Sequence, residues 1–241
     1  MKATTESLNL HSIYRATEGE GVFVGIPQIF VRFQGCAVGC INCDSKETWD
    51  FEENRLFPIE NVLAKISLLG GDEVKRVSIT GGDPLHPKNA DHVSLLAKEL
   101  KQRGYWVNIE AAGTRVLPEL FKTVDFISFD IKTPSTGVRT NWDLIQKFMR
   151  DFSHKSQIKA VVENKKDFDY LMEWRKSLQQ TMDPTFLSQV QFVITPAYNE
   201  TEPFPQNRFQ SILEWNETNG CLFRVIGQQH KWIFGTSRLD V

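Results

Sequence analysis

Beyond about the first quarter of the chain, two hydrophobic periods take turns. Short runs rich in Val, Ile and Phe alternate with longer stretches whose apolar positions recur at helical spacing. The short runs predict strands over Gln28–Phe33, Val74–Thr80, Trp106–Ala111, Phe126–Asp130, Gln157–Val162, Val190–Thr195 and Leu222–Ile226. The longer ones predict helices over Ile59–Leu69, Asn89–Arg103, Leu117–Lys122, Asn141–Phe152, Asp167–Gln180 and Gln206–Thr218. Pro58 just before the first helix and Gly104 after the second are start and stop signals, one fixing φ and the other freeing it. Strands alternating with helices predict right-handed βαβ units, hence an α/β fold with a mainly parallel sheet. No repeat, low-complexity tract or linker interrupts the pattern, so residues 1–241 are expected to form a single domain.

Ligand sites in such folds lie beyond the C-terminal ends of the strands. The polar and Gly-rich segments fall there. Three cysteines follow the first predicted strand, Gly81-Gly82-Asp83-Pro84 the second and Ala112-Gly113-Thr114 the third. Ser128 and Asp130 close the fourth, and Thr195-Pro196 the sixth. One concave site along a single rim is expected.

Composition narrows the classes. With 41% hydrophobic residues the 241-residue chain can bury one sizeable core. Lys and Arg number 28 against 30 Asp and Glu, a net charge of -2 without a basic stripe, which argues against a nucleic-acid backbone binder. No apolar run approaches the roughly 20 residues that span a bilayer. The first residues lack an apolar signal core, so a reducing cytoplasmic setting is expected.

In that setting clustered cysteines read as a metal or redox site. Cys36, Cys40 and Cys43 form a Cys-x3-Cys-x2-Cys loop, with Gly35 and Gly39 supplying backbone freedom for wrapping. Iron–sulfur clusters take Cys thiolates, and three of them would leave one iron open. Structural zinc wants four closed ligands, so here it would need Cys221 or one of the five histidines as the fourth. Arg32 ends an apolar strand, where a charge is costly unless paired. Its planar fork suits a ligand carboxylate, and a structural salt bridge is the plainer alternative.

The three-cysteine loop resembles the signature of the radical S-adenosylmethionine (SAM) superfamily. The likeness extends through Thr17-Glu18-Gly19-Glu20-Gly21, Phe30-Val31-Arg32, Cys43-Asp44-Ser45 with Thr48-Trp49-Asp50, Thr80-Gly81-Gly82-Asp83-Pro84 and Glu110-Ala111-Ala112-Gly113-Thr114. In that order these segments resemble the 7-carboxy-7-deazaguanine synthase family. The resemblance implies a modified partial (β/α) barrel with Cys36, Cys40 and Cys43 holding a [4Fe–4S] cluster. Asn42, Cys43 and Asp44 would neighbour SAM. Gly82 would let backbone approach its methionyl part, Asp83 would accept from its ammonium, and Ser128, Asp130 and Lys132 would hold its ribose and carboxylate.

The implied reaction takes hydrogen from C6 of 6-carboxy-5,6,7,8-tetrahydropterin with a 5′-deoxyadenosyl radical. The ring then contracts, ammonia leaves, and hydrogen returns to SAM. Such chemistry belongs to the cofactor, and the protein orients and shields it. By the same resemblance Ser45 would bind Mg2+, a hard ion suited to oxygen ligands. Thr17, Glu18, Gly19, Arg32 and Thr80 would bind substrate, with Glu110, Arg32 and His230 as catalytic groups. The family further implies a homodimer, a reductant protein such as flavodoxin or ferredoxin, and a place in queuosine-type deazapurine biosynthesis.

The chain departs from the family pattern in places. Glu18 stands where Gln is usual, and Asp83 replaces the Glu of a Gly-Gly-Glu-Pro motif. Ser128-Phe129-Asp130-Ile131-Lys132 takes the place of a Ser-Pro-Lys run, a form also seen in radical SAM activating enzymes that act on proteins. That activity and a non-catalytic zinc-binding module are the rival readings. Cys221 is expected to be a small buried apolar residue.

Overall fold

The computed structural model describes residues 6–198, 202, 204–235, 238 and 240. Nine strands form one sheet: β1 (Ser7–Thr17), β2 (Pro27–Phe33), β3 (Leu56–Pro58), β4 (Arg76–Gly81), β5 (Trp106–Ala111), β6 (Phe126–Ile131), β7 (Ser156–Val162), β8 (Gln191–Pro196) and β9 (Arg224–Val225). Their spatial order is β3-β1-β2-β4-β5-β6-β7-β8-β9. Every pairing from β2 to β9 is parallel, whereas β1 runs antiparallel to both β2 and β3. Among the described residues no helix is long and apolar enough to cross a membrane.

The helices are α1 (Ile59–Gly70), α2 (Ala90–Gln102), α3 (Pro118–Thr123), α4 (Trp142–Phe152), α5 (Lys165–Thr181), α6 (Pro184–Gln189), α7 (Gln206–Thr218) and α8 (Gln229–Phe234). Pro58 precedes α1 as expected, and the Asn141 and Asn164 side chains cap α4 and α5 by accepting from the backbone N–H of Leu144 and Asp167. The seven strands and six helices expected from the pattern are present, most with ends within two residues of the expectation. Leu222–Ile226 shrinks to the two residues of β9.

Strand geometry sends successive side chains to opposite faces. On one face Ile29, Val31 and Phe33 of β2, Val77 and Ile79 of β4, Val107 and Ile109 of β5, and Ile127 and Phe129 of β6 are fully buried. They join Val62 and Ile66 of α1, Leu96 and Leu100 of α2, Phe121 of α3 and Phe148 of α4 in one core. Phe129 stacks on Phe148 at 4.1 Å between ring centroids, and Phe121 meets both edge-on. The alternate positions read Gln28, Arg32, Ser78, Thr80, Asn108, Glu110, Ser128, Asp130, Gln157 and Lys159. One face of the sheet is therefore apolar and the other carries hydrogen-bonding groups.

Elements β1, β3, α6 and α8 are absent from the pattern-based expectation. β1 hides because its register against β2 shifts between Leu10 and Ser12. This bulge breaks the alternation: Leu10 pairs with core-facing Phe33, while Ser12 pairs with Arg32 and Tyr14 with Phe30 on the polar face. β3, α6 and α8 are too short to show a period. Replacing Phe129 by Ala is expected to lower unfolding free energy by about 3–5 kcal/mol, read from the denaturant midpoint. A loss below about 1 kcal/mol would contradict this placement of the core.

Candidate active site

The polar face of the sheet opens into a cavity of about 530 Å³. Its lining contains Thr17, Glu18, Gly19, Arg32, Cys36, Cys40, Asn42, Cys43, Asp44, Ser45, Thr80, Gly82, Glu110, Ser128, Asp130, Lys132 and His230. Strand register accounts for much of this convergence. Arg32 lies opposite Thr80, Glu110 opposite Ser128, Ser128 opposite Gln157, and Asp130 opposite Lys159. The Thr80 hydroxyl bridges from β4 to β5 by donating to Glu110 at 2.8 Å, and Ser78 donates to its other oxygen at 3.0 Å.

The cysteine loop leaves β2 and is pinned on several sides. Gly35 N–H donates to Thr48 O, Cys36 N–H to Trp49 O, and Ile41 N–H to Thr136 O. Gly35 sits at φ +90° with the Phe51 ring where a Cβ would project, so only glycine serves there. All three thiols are unpaired and half-buried. Burial pushes the Cys36 and Cys40 thiols up, while Val38 and Gly39 N–H groups donate to Cys36 and Lys132 draws Cys40 back down.

A cluster of four irons suits this donor set. Three free thiols face one cavity, and backbone donors already point at one sulfur. A lone zinc does not suit it. Among the described residues no three Cys, His, Asp or Glu side chains gather as they would around one ion. Cys221 cannot complete such a site either: it is exposed, at φ +55° in the turn after α7, and does not line the cavity. Its expected burial as an apolar residue is thereby corrected.

Within the Gly-Gly-Asp segment the two glycines line the cavity and the aspartate does not. A Cβ on Gly82 would fall 2.8 Å from Cys36 Cβ and from Gly35 O, so the glycine lets the β4 end pack under the cysteine loop. Asp83 alone among the expected site residues does not line the cavity. It is buried, its oxygens accepting from the Leu85 N–H at 3.0 Å and the Thr114 hydroxyl at 3.1 Å. Its N–H donates to Gly35 O. Both residues brace the loop that carries the cysteines.

An ion-paired rim joins elements distant in sequence. Lys132 Nζ lies 2.9 Å from Asp130, Lys159 Nζ 2.7 Å from Glu20, and Lys159 3.9 Å from Asp130. Gln228 donates to Glu20 at 2.7 Å, and Lys231 of α8 reaches Asp44 at 2.6 Å. Burial works to raise the Glu20 carboxyl, but Lys159, His230 and Gln228 together hold it well below the usual carboxylate range. Lys159 in turn is held firmly protonated: burial favours its neutral form, and Glu20 and Asp130 outweigh burial.

Nearer β1, Arg32 Nη2 donates to the Tyr14 hydroxyl at 3.0 Å, and Tyr14 stacks on Phe30 at 5.2 Å. The His230 ring lies against Gly19, and the Gln229 N–H donates to Gly19 O at 2.8 Å, which ties α8 to the Thr17–Gly19 segment. Burial lowers the His230 pKa below its ordinary value despite nearby Glu20. Ser45 Oγ stands 3.8 Å from Cys43 Sγ at the loop's end.

Tyr14, Gln28, Gln157, Lys159 and Gln228 escaped the sequence reading. A signal was present for Lys159, a charge within a run of apolar strand residues, the same anomaly that singles out Arg32.

Comparison with known proteins first defines a class: residues 17–122 match the family model of the 4Fe-4S single cluster domain, a span that includes all three loop cysteines. The 7-carboxy-7-deazaguanine synthase of Pyrobaculum aerophilum is 32% identical over 168 residues, covering 69% of this chain and 72% of that protein. That of Bacillus cereus is 30% identical over 160 residues, covering 65% of this chain and 66% of the relative's length, just under two thirds. The crystal structure of QueE from Escherichia coli superposes with a TM-score of 0.67 at 23% identity, covering 93% of this chain and 95% of that one. That likeness is one of fold, and it supports the partial barrel. The chain belongs to the 7-carboxy-7-deazaguanine synthase family of radical SAM enzymes.

Lys159→Met would leave Glu20 buried without its cation and is expected to cost on the order of 3 kcal/mol at neutral pH by denaturant titration. The sign with pH follows from the depressed Glu20 carboxyl. Its stabilising contribution is present above the unfolded-state carboxylate range and declines as pH falls below it, because the unfolded chain takes up the proton first. A variant as stable as wild type at pH 7 would show that the pair does not hold the rim.

Proposed function

We propose that this chain is a radical SAM carbon–nitrogen lyase that converts 6-carboxy-5,6,7,8-tetrahydropterin to 7-carboxy-7-deazaguanine with loss of ammonia. One observation carries the reading: the three-cysteine loop and a row of carboxylate, hydroxyl and guanidinium groups line the same cavity. That cavity is of small-ligand size. It favours a pterin over the protein substrate of an activating enzyme, which needs an open groove.

Cys36, Cys40 and Cys43 are the proposed cluster ligands. The cluster and SAM, when bound, supply the one-electron chemistry that removes hydrogen from the substrate and returns it. Asn42, Cys43, Asp44, Gly82, Ser128, Asp130 and Lys132 are proposed to surround SAM. Within that set the Lys132–Asp130 pair offers a charged donor beside a charged acceptor. Asp83 is left out of direct contact because its oxygens serve Leu85 and Thr114.

On the substrate side Arg32 would fork onto the pterin carboxylate, with Tyr14 fixing its orientation. Glu110, braced by Ser78 and Thr80, would accept from ring N–H and exocyclic amino donors. Thr17, Glu18 and Gly19 would present the neighbouring segment to the pterin edge. His230, packed on Gly19, would close the site from α8. Ser45 would give Mg2+ its one ligand from the chain, with water and substrate oxygens completing the shell. Asp44 is engaged by Lys231 and is not counted as a magnesium ligand. One cytoplasmic domain, working as a homodimer and reduced by a flavodoxin- or ferredoxin-type protein, completes the proposal, with its product entering queuosine-type biosynthesis.

Anaerobic turnover of reconstituted protein with the pterin, SAM, Mg2+ and dithionite is the test. Deazaguanine in excess over 5′-deoxyadenosine is expected, and 5′-deoxyadenosine without deazaguanine would reject the substrate. Cys40→Ala should lose both bound iron with sulfide and turnover. Ser45→Ala should raise the Mg2+ concentration needed for half-maximal rate while leaving the iron content unchanged.

A further inference from the structure

Gln157, near the start of β7, is buried, lines the cavity and has no part in the proposed substrate or cofactor contacts. Both ends of its side chain are engaged. Its Oε1 accepts from the Val22 N–H at 2.9 Å, and its Nε2 donates to Ser128 Oγ at 2.7 Å. The amide cannot be turned round, because a backbone N–H only donates and must meet the carbonyl end. Gly21 permits the close approach: it sits at φ +66°, and a Cβ there would fall 2.4 Å from Gln157 Nε2. The two contacts end on different parts of the site. Val22 lies in the loop of residues 18–26, closed by Glu18 N–H to Ile26 O at 2.9 Å and Gly25 N–H to Glu18 O at 2.8 Å. That loop carries Glu18, Gly19 and Glu20, and it has two further anchors. One is the Glu20–Lys159 pair, the other the Phe23 ring set edge-on to Trp106 and Phe126. Ser128 pairs with Gln157 in the β6–β7 register and belongs to the proposed SAM side. Its oxygen takes the Gln157 amide, and among the described residues no acceptor lies within hydrogen-bond distance of its single proton.

We infer that Gln157 is a positioning residue for both ligands: it fastens the loop of residues 18–26 to β7 and, through Ser128, to β6, and it leaves the Ser128 proton for an acceptor in the cavity. The two halves of the site are thereby held at one separation, which a reaction between bound partners needs, since reacting atoms must meet within about 3–3.5 Å. A side chain that only filled space would be replaceable by leucine, which has no polar end to offer Val22 or Ser128. The consequence for turnover rests on the pterin reading. The tether and the direction of the Ser128 proton do not.

Two measurements on the reconstituted full chain leave the pterin out, so failure of the pterin reading does not touch them. Hydrogen exchange followed by mass spectrometry, without SAM, is expected to run roughly tenfold faster across residues 18–26 in Gln157→Leu than in wild type, with β4 and β5 unchanged. Calorimetric titration with SAM is expected to show a dissociation constant raised about three- to tenfold in Gln157→Leu. Adding Gln157→Leu to Ser128→Ala should raise it no further, because the amide acts on SAM through that hydroxyl. Wild-type exchange across residues 18–26, or losses of SAM affinity that multiply in the double variant, would overturn the inference. If wild type binds no SAM, the proposed function fails, and the exchange of the loop alone decides the tether. If Gln157→Leu does not fold, Ser128→Ala decides. It frees one end of the Gln157 amide, so exchange across residues 18–26 should quicken about threefold, and unchanged exchange overturns the inference equally.

Discussion

The ion pair between Glu20 and Lys159 holds together what the rest of the site depends on. It joins a loop after β1 to the middle of β7, strands on opposite sides of the sheet's centre, across the polar face that forms the cavity. An unpaired charge at either position would be costly, because the cavity wall is mostly protein. Through Gln228 the pair reaches the segment leading into α8, and through Asp130 it reaches Lys132. The C-terminal segment, the glutamate-rich loop and the strand ends therefore take up one arrangement together.

Behind that pair stands the two-residue period of the strands. Ile127 and Phe129 point into the helices while Ser128 and Asp130 point into the cavity, with no spare position between them. The core and the site are two faces of the same six-residue segments. This is why a packing residue such as Phe129 and a site residue such as Asp130 can be neighbours with unrelated tasks. Parallel pairing then brings the polar positions of adjacent strands level, so that Arg32 meets Thr80 and Glu110 meets Ser128 with no help from loops.

Much of this was legible in the sequence. The parallel strands and long helices declare themselves by period, and the cysteine loop by spacing. The chemistry-bearing residues cluster because strand ends do. What stayed hidden has physical reasons. β1 carries a bulge that reverses its alternation after Leu10, so no single period describes it. Lys159 sits between Ile158 and Ala160 in β7, and its partner Glu20 is 139 positions away, a pairing that no local pattern encodes. Asp83 follows a strand next to the site and looks like a ligand residue. Its partners prove to be Leu85, Thr114 and the Gly35 carbonyl, since proximity in sequence does not fix where a short side chain points.

If the cysteine loop and the polar row serve a single reaction, hydrogen must pass between substrate and cofactor within the one cavity they share. Turnover of the pterin carrying deuterium at C6, followed by mass analysis of the recovered SAM, measures this directly. Deuterium accumulating in SAM as deazaguanine forms is the expected result. Deazaguanine formed while the recovered SAM stays unlabelled would contradict the shared-cavity reaction and the return of hydrogen to the cofactor.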